Sequence, residues 1–392
     1  MTSLPITRQV LAANIVQFLQ NVIGQQGFDA KVHFELEGCF RNTEKHVPVN
    51  FNLLNNWLVK HNIEGKIIPE YWHNQWEFVS EFAGQSPLKE AQNLAFVLEK
   101  LPEAFRQFNF GEVSIKPVVW SGDQGKMVTG STQIFCQDRR AVHIPNAIQM
   151  NVSVLNNGKN LMVERGFGER LQEVFLQTSL SCCLLYLPEE EAFERFALKT
   201  QYGLFDELCS PYDISGGHQG SIALYKDKGK HNQAMGLEPL IYGADEEVLV
   251  SQQDWHATAR IEHRLGAASS LYDPYINVIF ALLNIIESLD SFIKHREAPL
   301  DAKASIESTA LPSSLYDHED ETNGNYGANT QGAISLFEND RWFAEKIDQL
   351  VGLHRNEDSL SSTLPANAGQ LLKKQILANY QKQPIFINRI HL

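Results

Sequence analysis

Positive charge is what this 392-residue chain is short of: 33 Lys and Arg stand against 47 Asp and Glu, a formal net charge of −14 at pH 7. That deficit excludes a general basic field of the kind that holds a phosphate backbone, so no nucleic acid partner is expected. An anionic substrate has to be met by local cations or a metal. Cysteine is sparse too. Cys39, Cys136, Cys182, Cys183 and Cys209 include no CxxC pair and form no even framework, which makes reduced thiols in a cytoplasmic protein the expectation. No GK[ST] follows "GHQG" or "SGG", so there is no P-loop. His33, His73, His143, His218, His231 and His256 have no i, i+4 partner or HExxH setting and read as surface or core histidines. The most apolar stretch, "YINVIFALLNIIESL", falls short of the roughly 20 residues a bilayer span needs, so a buried helix and no membrane are expected. The opening "MTSLPITRQVLAANIVQFLQ" has helical apolar spacing without a charged n-region and cleavage site, so no export signal is expected.

What is present is enough apolar residue, 43% of the chain, for a large core. Periodicity predicts a helix over 4–24, a strand over 31–40 and a helix over "LLNNWLVKH". A helix follows over "SPLKEAQNLAFVLEKLPEAFRQF", where Ser starts it and Pro sits in the first turn. "EVSIKPVVW", "STQIFCQ" and "AIQMNVSVL" read as strands, the last closed by the turn "NNGKN". Helices return at 168–200, strands at 220–225 and 258–264, and an apolar helix at 275–294. Residues 317–332 are polar and rich in Gly and Asn, the composition of a mobile insertion. "GAISLFENDRWFAEKIDQLVG" reads as one amphipathic helix, and the remainder as a partly helical tail.

Three stretches carry chemistry. In "VHFELEGCF", strand alternation puts Glu35 and Glu37 on one face and Phe34 and Leu36 on the other. Adjacent acids repel, so burying them requires a cation; a solvated outer face is the plainer reading of this stretch. In "PEYWHNQWEF", Glu70 and Glu77 are seven apart, Gln75 shares the face of Glu77, and aromatics lie between. Either a partly dry pocket or an aromatic surface loop fits. In "RIEHR", Arg260, Glu262 and Arg264 share a face as plus, minus, plus. That suits a phosphate beside a metal-bound carboxylate, or a salt-bridged exposed strand.

In this order the motifs resemble the glutamine synthetase family. "RIEHR" followed by "DPY" resembles its R-x-E-x-R strand and N/D-P-Y loop, and "FELEG" its E-x-E strand. "PEYWHNQWEF" resembles E-x-x-x-x-Q-W-E-F, "SIKPVV" the M-P-K-P strand, and "IQMNVSVLNNGKNL" the M-H-V-H-Q-S-L-W-x-x-G-x-N-L stretch. "LPSSL" and "AISLFENDRWF" resemble the closing motifs, so the likeness runs from about 30 to about 350. It implies an α+β fold, a curved, mostly antiparallel sheet wrapped by helices. The expected organisation is a helical segment over 1–30, a catalytic domain over 31–355 with an insertion at about 118–143 and the mobile loop 317–332, and a tail over 356–392.

The resemblance assigns roles as well. Glu37, Glu70 and Glu77 match the acids that hold the family's first divalent ion; Glu35 and Glu262 match two of three ligands of its second, with Gln149 standing where the third is His. Hard oxygen donors at this density imply Mg²⁺ or Mn²⁺, one ion or two, with ATP as co-substrate. The implied chemistry is attack of a substrate carboxylate on the γ-phosphate, then attack of an amine on the acyl phosphate. Arg260 matches a nucleotide-phosphate contact, with Lys116 placed as a second nucleotide-binding residue. Arg264 matches a residue near the transferred phosphate, and Glu207 in "GLFDELCSPYDISGG" the acid that helps deprotonate the amine. Departures fall on the substrate side. "PNA" replaces G-S-G, Gln201 and Gln219 stand at family arginines, and a third arginine falls on Ala223 or Leu224. Each unreplaced buried charged hydrogen bond costs roughly 1.5–3 kcal/mol, which points away from glutamate as the acid. The expected partners are therefore a small-molecule acid and amine in a homo-oligomer that need not be the family's double ring. The alternatives are a non-catalytic binding or regulatory homologue, or an ATP-dependent phosphotransferase of the same fold.

Overall fold

Thr7 accepts a hydrogen bond from the Val10 amide and so starts α1 (Arg8–Gln25), whose Leu11, Ile15, Phe18 and Leu19 are fully buried. The computed structural model describes residues 6–41, 47–70, 74–80, 85–120, 143–201, 221–226, 255–295, 311–318, 331–355 and 363–380. After α1 come β1 (Phe28–Arg41), α2 (Phe51–Lys60), β2 (Gly65–Pro69), β3 (Gln75–Ser80) and α3 (Pro87–Gln107). Then follow β4 (Glu112–Ser114), β5 (Val118–Trp120), β6 (His143–Pro145), β7 (Ala147–Asn156) and β8 (Lys159–Asn160). The second half holds α4 (Phe167–Ser179), α5 (Glu191–Gln201), β9 (Ile222–Tyr225), β10 (Arg260–Ala267) and α6 (Pro274–Lys294). It closes with α7 (Ala333–Asn339), α8 (Trp342–Leu353) and α9 (Ala368–Leu377).

The main sheet is antiparallel throughout, in the order β2-β3-β1-β7-β10-β9, with β4 beside β1 and β8 beside β7; β5 and β6 form a separate ribbon. The expected α+β architecture with a large antiparallel sheet is therefore present. Helices cover one face: α1, α3 and α6 meet β1, and α4 meets β9 and β10. Phe34, Leu36, Ile148, Met150, Val152 and Ile261 supply the buried apolar side of that contact. α6, the one described helix apolar and long enough for a bilayer, has 78% of its apolar window buried and is a core helix. Asp273 caps it through the Tyr275 amide (3.1 Å) and also meets Arg8 (3.5 Å), tying the start of α1 to the start of α6. At the other end α9 lies against α8 and α1. Residues of α1 and α9 thus belong to the same apolar core as the sheet and α6.

One expectation changes. The single helix over "GAISLFENDRWFAEKIDQLVG" is two, α7 and α8, because Asp340 is extended. Its carboxylate accepts from the Phe343 amide (3.0 Å) and the Ser181 hydroxyl (2.9 Å), restarting the helix and anchoring it to the end of α4. The strand "STQIFCQ", most of the insertion at 118–143 and most of the loop at 317–332 lie outside the described residues.

One glycine on β1 is required by contact. Gly38 pairs with Trp76 on β3, and a Cβ there would sit 2.4 Å from the buried indole. Gly38→Ala is expected to destabilise the fold by about 1–3 kcal/mol, read as a lowered urea midpoint.

Beneath the same strand, Glu90 of α3 is fully buried, and its Oε1 accepts from the Phe34 amide at 3.1 Å. Burial raises its pKa to about 7, against the smaller opposing effect of its hydrogen bonds. The folded protein therefore holds this proton at pH values where the unfolded chain has lost it. The stabilising contribution is full below about pH 4.5 and is lost as pH rises to about 7. Glu90→Gln removes that loss, so the stability difference between variant and wild type should shift in the variant's favour by up to about 3 kcal/mol from pH 4 to pH 8. Urea titrations of both proteins across that range measure it; parallel profiles would contradict the assignment.

Candidate active site

The face of the sheet opposite these helices gathers the charged residues, and strand register decides which of them meet. On β1, His33, Glu35 and Glu37 share this face. Glu37 lies opposite Glu77 on β3; Glu35 lies opposite Gln149, and His33 opposite Asn151, both on β7. Asn151 in turn faces Glu262 on β10, while Arg260 faces Tyr225 and Glu262 faces Ala223 on β9. The face is buried as well as charged: Glu35, Gln149, Asn151 and Glu262 are each under a tenth exposed. The solvated-strand reading of "VHFELEGCF" is thereby set aside.

Hydrogen bonds join these groups across β1, β7 and β10. Asn151 Nδ2 donates to Glu35 Oε1 (3.2 Å), and its Oδ1 accepts from Arg260 Nε (2.6 Å). Arg260 Nη2 donates to Glu262 Oε2 (3.1 Å), and Arg264 Nε lies 3.4 Å from Glu262 Oε1. The plus, minus, plus pattern of "RIEHR" is thus a buried ion-pair triad, with Arg260 stacked over Tyr225 at 4.8 Å. His33, enclosed beside Arg260 and Glu35, has its pKa lowered to about 3, by burial first and by Arg260 second.

At the other end of β7, Glu37 Oε2 accepts from the Ala147 amide at 2.8 Å. The "PNA" turn that presents this amide is held by fully buried Asn146. Its Nδ2 donates to the Lys116 carbonyl (3.1 Å), and its Oδ1 accepts from Gln75 (3.0 Å). Glu70 follows β2, its amide bonded to the Gln75 carbonyl at 3.1 Å, so it sits at the same hairpin end as Glu77. Lys116 is exposed and acts on Glu189 electrostatically. It sits at the Asn146 end of β7, about 20 Å of strand from the residues beside Arg260. Lys116 and Arg260, both expected to bind nucleotide, thus lie toward opposite ends of β7. Glu207 and Gln219, and the side chain of Gln201, fall outside the described residues.

Register separates the two residues on which a family arginine was expected to fall: Ala223 is on the Glu262 face, whereas Leu224 points to the helix side against Gly168. A methyl group stands there. Four contributors escaped sequence reasoning. His33 could have been found by counting back two from Glu35. Asn146 and Tyr225 carry no such signal, nor does Arg195, an arginine in an ordinary amphipathic helix. Fully buried in α5, Arg195 donates to the carbonyls of Arg264 (3.1 Å), Leu265 (3.1 Å) and Gly266 (3.0 Å). The β7–β10 register slips there, and a bulge of this kind re-aims the residue it carries, here Arg264.

The donor set bears on metals unevenly. Glu37 and Glu77, with Glu70 nearby, are hard oxygen donors suited to Mg²⁺ or Mn²⁺. Among the described residues, no three His, Cys, Asp or Glu side chains converge as a ready metal cage. Around Glu35 and Glu262, protein donors already occupy the carboxylate oxygens.

No family model and no curated protein sequence matches this chain. Solved structures do. A glutamine synthase homologue superposes with a TM-score of 0.53 at 15% identity, over 93% of this chain and 75% of that one. GmaS without ligand gives 0.52 at 12%, over 96% and 75%, and Plasmodium falciparum glutamine synthetase gives 0.52 at 11%, over 97% and 79%. The chain has the glutamine-synthetase-like catalytic fold over most of its length.

Arg195 makes a testable claim about the bulge. Arg195→Met leaves three carbonyls without their donor and should destabilise the protein by about 3 kcal/mol or more in urea unfolding. Arg195→Lys should recover only part of it, since an ammonium lacks the guanidinium fork.

Proposed function

We propose that this protein is an ATP-dependent carboxylate–amine ligase, forming an amide through an acyl phosphate from an acid and amine other than glutamate and ammonia. The observation that supports it is the juxtaposition of Glu35, Glu37, Glu77 and Glu262 with Arg260 and Arg264 on one face of β3, β1, β7 and β10. The fold is shared with glutamine synthetases, and GmaS is known in an ADP complex. Ala223 in place of an arginine, and the "PNA" turn folded around Asn146, support an acid substrate other than glutamate.

In this reading a substrate carboxylate oxygen attacks the γ-phosphorus of ATP and the bond to the β-phosphate oxygen breaks, releasing ADP. The amine nitrogen then attacks the acyl carbon, phosphate leaves, and the amine's proton passes to Glu207. Arg260 and Arg264, fixed by Glu262 and by the bulge, present positive charge to the phosphoryl group without reorganising. Glu37, Glu70 and Glu77 would hold a divalent cation, which when bound offsets the charge of the triphosphate. A second reading, a binding homologue without turnover, draws support from the methyl group of Ala223 where a cation is needed.

ADP release, assayed with Mg²⁺ across acids and amines, separates the readings. Acid- and amine-dependent ADP with amide product is expected, and Glu37→Gln should lower it by about 100-fold or more with little change in melting temperature. ADP without amide would point to a phosphotransferase. No ADP with any pair, together with no Mg²⁺-dependent ATP binding, would sink the ligase reading.

A further inference from the structure

Gln149 sits between carboxylates of two strands, and its amide has two settings. In one, Nε2 faces Glu37 Oε1 at 3.4 Å while the amide oxygen faces carboxylate oxygens of Glu35 and Glu262. Oxygen against two carboxylates repels unless a cation lies among them. With the amide turned over, nitrogen donates to Glu262 Oε1 at 2.8 Å and Glu35 Oε2 at 3.3 Å. The second setting is the one the local charge favours, since it replaces repulsion by two charge-assisted hydrogen bonds.

That setting closes a ring. Glu35 is bonded by Asn151, Asn151 by Arg260, Glu262 by Arg260, and Gln149 returns from Glu262 to Glu35. All four oxygens of the two carboxylates then have a donor, with Arg264 adding a further charge beside Glu262 Oε1. Two carboxylates and two guanidiniums leave this half of the face neutral. A divalent ion would add charge to a neutral set, displace the Gln149 nitrogen and meet an amide oxygen instead of an imidazole. The Glu37 end differs: Glu37 and Glu77 face each other there, and Glu37 accepts from the backbone amide of Ala147.

We infer that Gln149 takes the place of a second divalent cation: with Asn151, Arg260 and Arg264 it neutralises Glu35 and Glu262 from within the protein, so the face takes a divalent ion only at its Glu37/Glu77 end. The significance of this rests on the proposed ligase reading; the ring itself does not. It also gives the face two unlike halves, one self-neutralised and rigid, one acidic.

Mn²⁺ alone, without nucleotide, is the probe. Crystals of the wild-type protein soaked in Mn²⁺ should show no anomalous peak between Glu35 and Glu262. Gln149→Glu adds a third carboxylate of the same size at that point. It should lower the melting temperature by several degrees in EDTA, regain it in Mn²⁺, and show the missing peak. If that variant does not fold, Gln149→His provides a neutral metal ligand and should raise Mn²⁺ stoichiometry by one ion per chain over wild type. A Mn²⁺ ion between Glu35 and Glu262 in the wild-type protein overturns the inference, as does failure of every folded Gln149 variant to gain an ion. Both readouts report where Mn²⁺ sits and not turnover, so an inactive enzyme would end the ligase proposal and leave this one standing.

Discussion

Like charges placed side by side on a sheet are the constraint from which the rest of this structure follows. Directly opposed residues on neighbouring strands sit only about 5 Å apart, where two carboxylates destabilise each other. Glu35, Glu37, Glu77 and Glu262 all share one face. Strand β7 relieves the crowding by lying between β1 and β10 and offering amides, Gln149 and Asn151, at the two positions where acids of both neighbours would otherwise confront each other. Arg260 and Arg264 supply the compensating charge.

The covered face makes this arrangement rigid. Apolar side chains of β1, β7 and β10 are buried against α1, α3, α4 and α6, so the strands cannot slip by one residue without moving acids into the core. Polar groups reach through the layer at a few points. Glu90 grips the backbone of β1 between His33 and Glu35, and Arg195 gathers three carbonyls at the bulge that aims Arg264. Each is costly to bury and is used where the backbone leaves ladder pairing. Precision at the charged face therefore depends on buried polar contacts behind and beside it.

Much of the fold was legible because period-two and period-3.6 patterns survive in the residues themselves. β1 and α6 fall close to where periodicity put them, and Ser86 and Pro87 open α3 as capping chemistry predicts. Where reading failed, a distant partner decided. Asp340 splits a continuous amphipathic pattern because its carboxylate binds both Phe343 and Ser181. Which of Ala223 and Leu224 shares the face of Glu262 needed the strand pairing.

Which residues share a face was readable along the chain: Glu35 with Glu37, Arg260 with Glu262, Phe34 with Leu36. Alternation is a property of the chain's own geometry and needs no partner. Which residues then meet depends on how the strands pair, and with it whether those acids are solvated, hold an ion or are answered by the protein. Register between strands far apart in sequence put Gln149 between Glu35 and Glu262, each more than a hundred residues away along the chain. Neutralisation is a matter of a few ångströms in space, and spacing along the chain carries no measure of it.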